Sequence, residues 1–251
     1  MLIFAIKATH LLNLLREIIP NDVLQSPDNA FMGIFINDWT LQFNRLTLVN
    51  DNEGNLIPAS MTTMESTSMG SVENIGCCFN KPELFKGWLK SSTEPNDDRA
   101  CTCSVDDEFI IFSHSGNNIK FRRIVNEKFI EQFCQFIPQI NNEQQCCTVL
   151  KRYDIGVLMG RLEIIYTASL PVKYFTIDEE GYKSCGPDTQ VKYTKSVYSS
   201  NPMSFITQEL ICFLKNVLYC SGADVTVTFS VTQCIILKCN NGVCFYQAPC
   251  L

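Results

Sequence analysis

The chain has 251 residues, and 46% of them are hydrophobic, so it can form one large core or the cores of two ordinary domains. Its formal net charge of −6 excludes the uniformly basic surface of a simple nucleic-acid-binding protein. Any contact with nucleic acid must therefore come from a local cluster of cations.

The N-terminal stretch MLIFAIKATH is interrupted by polar residues, and no small-residue cleavage site follows it. No apolar run reaches the roughly 18 residues that would span a bilayer. We therefore expect a soluble intracellular protein that has no membrane partner.

Two segments of the N-terminal half have the periodicity of amphipathic helices. The first, 9–19, puts leucines and isoleucines on one side, with Thr9 as a candidate N-cap. The second, 81–92, follows Asn80, a second candidate N-cap, and has proline in its first turn. Its expected apolar stripe consists of Leu84, Phe85, Trp88 and Leu89.

Two further helices are predicted in the C-terminal half, at 152–165 and 201–220. Gly156 and Gly160 lower the helix propensity of the first, and glycines four residues apart could permit the close approach of a neighbouring element. Each of the four predicted helices carries at least one cation opposite its apolar stripe.

Short segments rich in β-branched and aromatic residues, bounded by Asn, Asp and Gly, predict strands. The turns Ser115–Asn118 and Asn240–Gly242 are rich in residues that accept positive φ, so each predicts an antiparallel hairpin. For 127–136 we favour a strand over a helix. The other predicted strands are 2–6, 30–36, 41–49, 108–114, 119–125, 172–177, 190–198, 223–231, 234–239 and 242–248.

The two halves repeat the same order of strand, helix, strands, helix and closing hairpin, which indicates an architectural repeat. We predict two similar domains, 1–135 and 148–251, joined by a polar surface connector at 136–147. The predicted fold class is α+β, with two helices packed on antiparallel sheets in each domain.

The fourteen cysteines lie in apolar runs or in adjacent pairs, which favours buried reduced thiols over a disulfide framework. Structural zinc sites need paired Cys knuckles or accompanying histidines, and His10 and His114 lie far from the cysteine-rich C-terminus. We therefore expect no metal and no cofactor.

Three stretches of the sequence resemble those of one known family: FNKPELFKGWLKSS followed by DDRACTCSVDDEFIIFSHSGNNIKFRRI, then VLKRYDIGVLMGRLEIIYTASLPVKYFTIDEEGYKS, and finally FLKNVLYCSGADVTVTFSVTQCIILKCNNGVCFYQAPCL. The family they resemble is the sliding-clamp family of proliferating cell nuclear antigen. Together they cover most of the chain, while 54–76 aligns poorly and could hold a strand with a loop insertion. The resemblance implies the DNA clamp fold.

The resemblance also implies a ring of such subunits, with helices lining a central hole and sheets forming the outer wall. Duplex DNA in the hole is held through its phosphates, so the lining needs cations on the helix faces opposite the sheets. A single lysine there is more often merely solvated; the set of cations favours the lining. The candidate DNA-binding residues are Arg16, Lys86, Lys90, Arg161 and Lys215, with Lys81, Lys151 and Arg152 close by.

In this family, partner proteins dock a short peptide on an outer hydrophobic pocket beneath the connector and beside the C-terminal tail. Ordinary core and connector packing is an equally good explanation of the corresponding residues here. The implied partners are DNA polymerase, other clamp-binding proteins and a clamp loader. The candidate partner-binding residues are Phe136, Ile137, Pro138, Ile140, Tyr246, Ala248 and Pro249.

Several functions are compatible with the resemblance. A homotrimeric processivity factor, one subunit of the heterotrimeric DNA-damage checkpoint clamp, and a viral clamp-fold replication or transcription factor all stay open. The expected location is the nucleus or a viral replication site. An enzyme is disfavoured, because the acidic clusters Asp97-Asp98 and Asp106-Asp107-Glu108 lie at predicted turns and no cysteine has a local histidine signature.

Overall fold

The computed structural model divides into two compact units, unit 1 at Met1–Ile137 and unit 2 at Pro138–Leu251. Within them the structure describes residues 2–20, 29–37, 40–50, 54, 56–67, 75–125, 146–167, 174–178, 181–184, 203–220, 222, 224–231 and 234–248.

Unit 1 contains two helices and eight strands among its described residues. In chain order they are β1 (Leu2–Lys7), α1 (Ala8–Ile18), β2 (Ala30–Asn37), β3 (Thr40–Asn50), β4 (Leu56–Thr67), β5 (Ile75–Asn80), α2 (Pro82–Ser92), β6 (Ala100–Val105), β7 (Phe109–His114) and β8 (Asn117–Arg122).

The strands of unit 1 form two antiparallel arrays, ordered β1-β6-β7-β8 and β5-β2-β3-β4. An isolated antiparallel bridge pairs Cys78 of β5 with Ile124, which follows the end of β8. Phenylalanines fill the space between strands and helices: the Phe85 and Phe112 rings stack at 3.9 Å, and the Phe79 and Phe121 rings lie 4.5 Å apart. Through these aromatic contacts α2 packs against the strands.

Unit 2 contains β9 (Cys146–Lys151), α3 (Arg152–Thr167), β10 (Tyr174–Asp178), β11 (Gly181–Ser184), β12 (Met203–Ile206), α4 (Thr207–Cys220), β13 (Thr226–Val231), β14 (Ile235–Cys239) and β15 (Cys244–Gln247). Its strands are ordered β15-β14-β13-β9 and β11-β10-β12, and neighbouring strands run antiparallel. Phe213 of α4 stacks on Phe245 of β15 with ring centroids 4.7 Å apart.

The α+β class, the four helices and both predicted hairpins are confirmed. The predicted start of the last helix was wrong: α4 begins at Thr207, because 203–206 pairs with β10 as a strand. Cys146 and Cys147, expected in the connector, belong to β9. The predicted strands at 127–136 and 190–198 lie outside the described residues, as does 136–145.

Neither predicted N-cap is correct. Lys7 is the N-cap of α1, and the Thr9 hydroxyl instead donates to the backbone oxygen of Asp97 at 3.2 Å. Lys81, with φ of 58°, precedes α2. Neither of these two helix starts has a side-chain capping hydrogen bond, so capping chemistry does not define where α1 and α2 begin.

The nine cysteines whose side chains the structure describes are not joined in disulfides, and six of them are buried. Burial raises the pKa of Cys77 and of Cys101 to about 12, so neither is a thiolate at neutral pH. No helix in the described part of the chain is both long enough and apolar enough to cross a membrane.

Candidate functional site

Among the described residues, each unit carries one pair of helices that pack against each other and against the unit's strands, α1 with α2 and α3 with α4. The helices bury an apolar side and leave polar residues on the other side. We name the α1/α2 and α3/α4 pairs the first and second helix pair. Four of the five candidate DNA-binding cations lie on exposed or half-exposed surface of these pairs.

The first helix pair presents Arg16 and Lys90, each in the last turn of its helix. Arg16 is half-exposed, and its guanidinium donates to the side-chain oxygen of Asn13 at 3.2 Å. Lys90 is exposed, and no carboxylate of the described residues lies within ion-pair distance of its ammonium group. Both cations lie where an external anion can reach them.

Lys86 has a different environment from the one expected of a lining residue. It is buried, and its ammonium group donates to the backbone oxygens of Ile19 at 2.5 Å and Pro20 at 3.1 Å. Carbonyls at the end of a helix lack intrahelical donors and carry partial negative charge, so a cation there satisfies them. Lys86 thus caps the C-terminal end of α1.

The burial of Lys86 follows from the rotation of α2. The buried positions are Pro82, Phe85, Lys86 and Leu89, whereas the sequence predicted Leu84, Phe85, Trp88 and Leu89. Leu84 is 57% exposed, so its predicted place in the core was wrong. The aliphatic stem of a lysine can lie along an apolar surface, which is why Lys86 can take a core-facing position.

A second charged contact lies under the same helix. Arg45 of β3 and Glu83 of α2 face each other with Nε and Oε1 3.4 Å apart, and their side chains are only 4% and 9% exposed. The Arg45 guanidinium also donates to the Thr47 hydroxyl at 3.2 Å. α2 is thus fixed to unit 1 by buried charges as well as by its phenylalanine.

The second helix pair presents Arg161 of α3 and Lys215 of α4, both half-exposed. Lys215 forms an ion pair with Glu163 of α3, with Nζ and Oε1 2.6 Å apart. The two side chains are 39% and 38% exposed, so the pair lies at the surface and joins the two helices. Sequence reasoning missed Glu163, because the two partners lie on different helices and no local spacing links them.

Arg152 occupies the start of α3 and caps the end of α4. Its guanidinium donates to the backbone oxygens of Leu218 at 2.8 Å and Gly222 at 3.1 Å. Lys86 makes the same kind of cap on α1, but the Arg152 hydrogen bonds are exposed. The sequence placed Arg152 near the lining and gave no sign of its capping role.

The partner-binding residues can be located only in part. Tyr246 is buried in β15, and Ala248 follows that strand in a half-exposed position. The remaining predicted docking residues lie outside the described part of the chain, so this assignment stays a prediction. They are Phe136, Ile137, Pro138, Ile140 and Pro249.

The acidic clusters make internal contacts. The Asp97 carboxylate accepts two hydrogen bonds from the Arg99 guanidinium and lies 3.1 Å from the His114 ring. The Arg99 hydrogen bonds hold the pKa of the Asp97 carboxyl well below its usual value. Asp98 pairs with Lys7 at 2.7 Å, and Asp106 accepts the backbone N–H groups of 108 and 109.

These contacts identify the acidic turns as structural features. Within the part of the chain that the structure describes, no group of three His, Cys, Asp or Glu side chains is placed to hold a metal.

Comparison with known proteins gives the fold. The sequence matches no protein-family model and no curated protein. The structure is similar to the C. crescentus beta sliding clamp (TM-score 0.65, 11% identity) and to the Thermotoga maritima DNA polymerase III beta subunit (0.64, 15%). It is also similar to the Helicobacter pylori beta clamp bound to a DNA ligase peptide (0.57, 10%).

The chain has the DNA sliding clamp fold. The three matches cover 98%, 99% and 99% of this chain, and 65%, 65% and 66% of the respective clamps. The chain thus spans a little under two-thirds of the length of these proteins. The similarity confirms the clamp fold that the sequence predicted, and identities of this size carry the fold alone.

Proposed function

We propose that this protein is a ring-forming sliding clamp subunit that encircles duplex DNA and tethers other proteins to it, acting by binding and not by catalysis. The clamp fold over nearly the whole chain is the observation that carries the proposal. In such a ring, phosphate contacts from helix faces hold the duplex without reading its sequence.

The cations of the helix pairs support this function. Arg16, Lys90 and Arg161 lie at half-exposed or exposed positions of helices in a chain whose net charge is −6. A few cations give weak, salt-dependent attraction, which suits a protein that must move along DNA. The helix pairs are therefore the proposed DNA-facing surface, while Lys86 and Arg152 have capping roles.

Peptide binding is the second part of the proposal. The H. pylori clamp structure holds a DNA ligase peptide, which supports a similar mode of recruitment here. The predicted docking residues around the connector and Tyr246 are the candidates, with DNA polymerase and a clamp loader among the proposed partners. A homotrimer or heterotrimer is the proposed ring, and its mass would be near three times the 28.5 kDa chain.

Topological trapping tests encirclement without a loader. The protein is mixed with a linear duplex, the DNA is circularised by ligation, and the product is washed at high salt. We expect the protein to stay with the closed circle and to be released when a nuclease linearises it, because only a ring is held topologically. Native mass spectrometry of the same sample gives the ring stoichiometry.

Charge reversal tests the DNA-facing surface and has a matched control. Arg16→Glu with Lys90→Glu should weaken binding to a short duplex at least tenfold. It should also make the salt dependence shallower, by about 0.9 in slope for each phosphate that is no longer neutralised. Lys120→Glu with Lys238→Glu reverses two exposed strand lysines and should have a small effect. Complete release at high salt before linearisation, or a monomer under all conditions, would refute a ring formed by this chain alone.

A further inference from the structure

The ion pair between Glu163 and Lys215 places a negative charge on the surface that is proposed to bind DNA phosphates. Both side chains are nearly two-fifths exposed, and their charged atoms are 2.6 Å apart. The pair links α3 to α4, and its cation, Lys215, is one of the candidate DNA-binding residues.

This ion pair adds little to the stability of the helix pair. Exposed ion pairs contribute little to stability, because solvent screens the attraction and two long side chains lose freedom. Apolar side chains packed between the helices and strands hold the second helix pair in place. The buried ones include Ile155, Leu158 and Leu162 of α3 and Leu210 and Leu214 of α4.

The carboxylate of Glu163 matters more for the surface charge of the second helix pair than for its stability. The second helix pair carries as many carboxylates as cations: Asp154, Glu163 and Glu209 stand against Arg152, Arg161 and Lys215. Of these carboxylates, Glu163 directly contacts a candidate DNA-binding cation. On the first helix pair, by contrast, Lys90 is exposed and has no ion-pair partner among the described residues.

We propose that Glu163 lowers the affinity of the second helix pair for DNA by competing with phosphate for Lys215. The inference rests on the proposed function. A phosphate that binds Lys215 must displace the carboxylate, and the displaced carboxylate then repels the same phosphate. Glu163 thus determines the affinity of the second helix pair for DNA and keeps that affinity low.

The variant Glu163→Gln keeps the shape of the side chain and removes its charge. We expect duplex binding to become roughly three- to tenfold tighter at low salt, since Lys215 becomes able to form one further phosphate contact. The slope of log K against log salt, measured by fluorescence anisotropy from about 50 to 200 mM, should steepen by about 0.9. The melting temperature should change little.

A double-mutant cycle identifies the route of the effect. Lys215→Gln alone should change binding only slightly, whereas in the Glu163→Gln background it should abolish the tighter binding. Asp107→Asn removes the same charge from an exposed turn outside the helices, and it should leave affinity nearly unchanged.

Two results would overturn the inference. One is unchanged affinity of Glu163→Gln; the other is an equal increase in affinity in the Lys215→Gln background, which would mean that Glu163 acts by general repulsion. Failure of the proposed function is distinguishable from both, because a wild-type protein with no measurable affinity for duplex DNA at low salt would refute the function itself.

Discussion

The two helix pairs use the same kinds of charged contact in different surroundings. In the first, the Lys86 cap and the Arg45–Glu83 pair are buried; in the second, the Arg152 cap is exposed and the Lys215–Glu163 pair is half-exposed. Buried charges must keep their partners, because an uncompensated charge in the interior is costly, while exposed charges exchange with water and ions.

Because of this difference, the buried contacts support mainly the stability of the fold, while the surface contacts are open to competition from a ligand. The buried contacts of unit 1 fix the orientation of α2, and the surface cations of that pair are accessible to an external ligand. In unit 2 the charged contacts lie on the surface itself, so a ligand anion can compete with them. We therefore expect mutations of these particular contacts to affect mainly stability in the first pair and mainly binding in the second.

The largest expected effect is at Glu83. Glu83→Gln removes the charge that faces the buried Arg45 guanidinium, and breaking a buried pair costs about 3 kcal/mol. Hydrogen exchange of the α2 amides should report that destabilisation as faster local opening. Glu163→Gln, the same substitution at a half-exposed pair, should change the α3 amides by less than about 1 kcal/mol. Equal effects at both sites would contradict the comparison.

The two helix caps should show the same trend: loss of the buried cap in unit 1 should cost more stability than loss of the exposed cap in unit 2. Lys86→Met keeps the stem but removes the donor from the carbonyls of Ile19 and Pro20, at a cost of about 2 kcal/mol. Arg152→Met removes exposed hydrogen bonds that water can replace, at a cost of about 0.5 kcal/mol. Exchange rates at the ends of α1 and α4 measure the two effects. A larger destabilisation at Arg152 would show that exposure does not govern the caps.

Local pattern was enough to predict the elements and some of their contacts. The hairpins at Ser115 and Asn240 follow from turn chemistry, and the buried leucines of α1 follow from helical periodicity. The rotation of α2 could not be predicted, because Phe85 and Leu89 fit both the predicted and the observed stripe. Only the rest of the fold selects Lys86 over Leu84. Contacts between helices, such as the ion pair of the second helix pair, leave no mark on local spacing.

The smallest expected effect is an increase in stability, at the glycines of α3. The sequence suggested that Gly156 and Gly160 could permit close approach of a neighbour, but a Cβ built at either position meets no atom of the described residues within 4 Å. Each glycine therefore lowers helix stability, and no element of the described part of the chain packs closely against it. Gly156→Ala and Gly160→Ala should each stabilise α3 by about 0.5 to 1 kcal/mol, seen as slower exchange of the α3 amides.

A glycine with positive φ provides the control for these two substitutions. Gly116 also has open space around a Cβ, but its φ of +81° is strained for alanine, so Gly116→Ala should be destabilising. Destabilisation at Gly156 or Gly160 as well would mean that these positions are covered in solution. That result would place the covering element on the second helix pair, beside the surface proposed to face DNA.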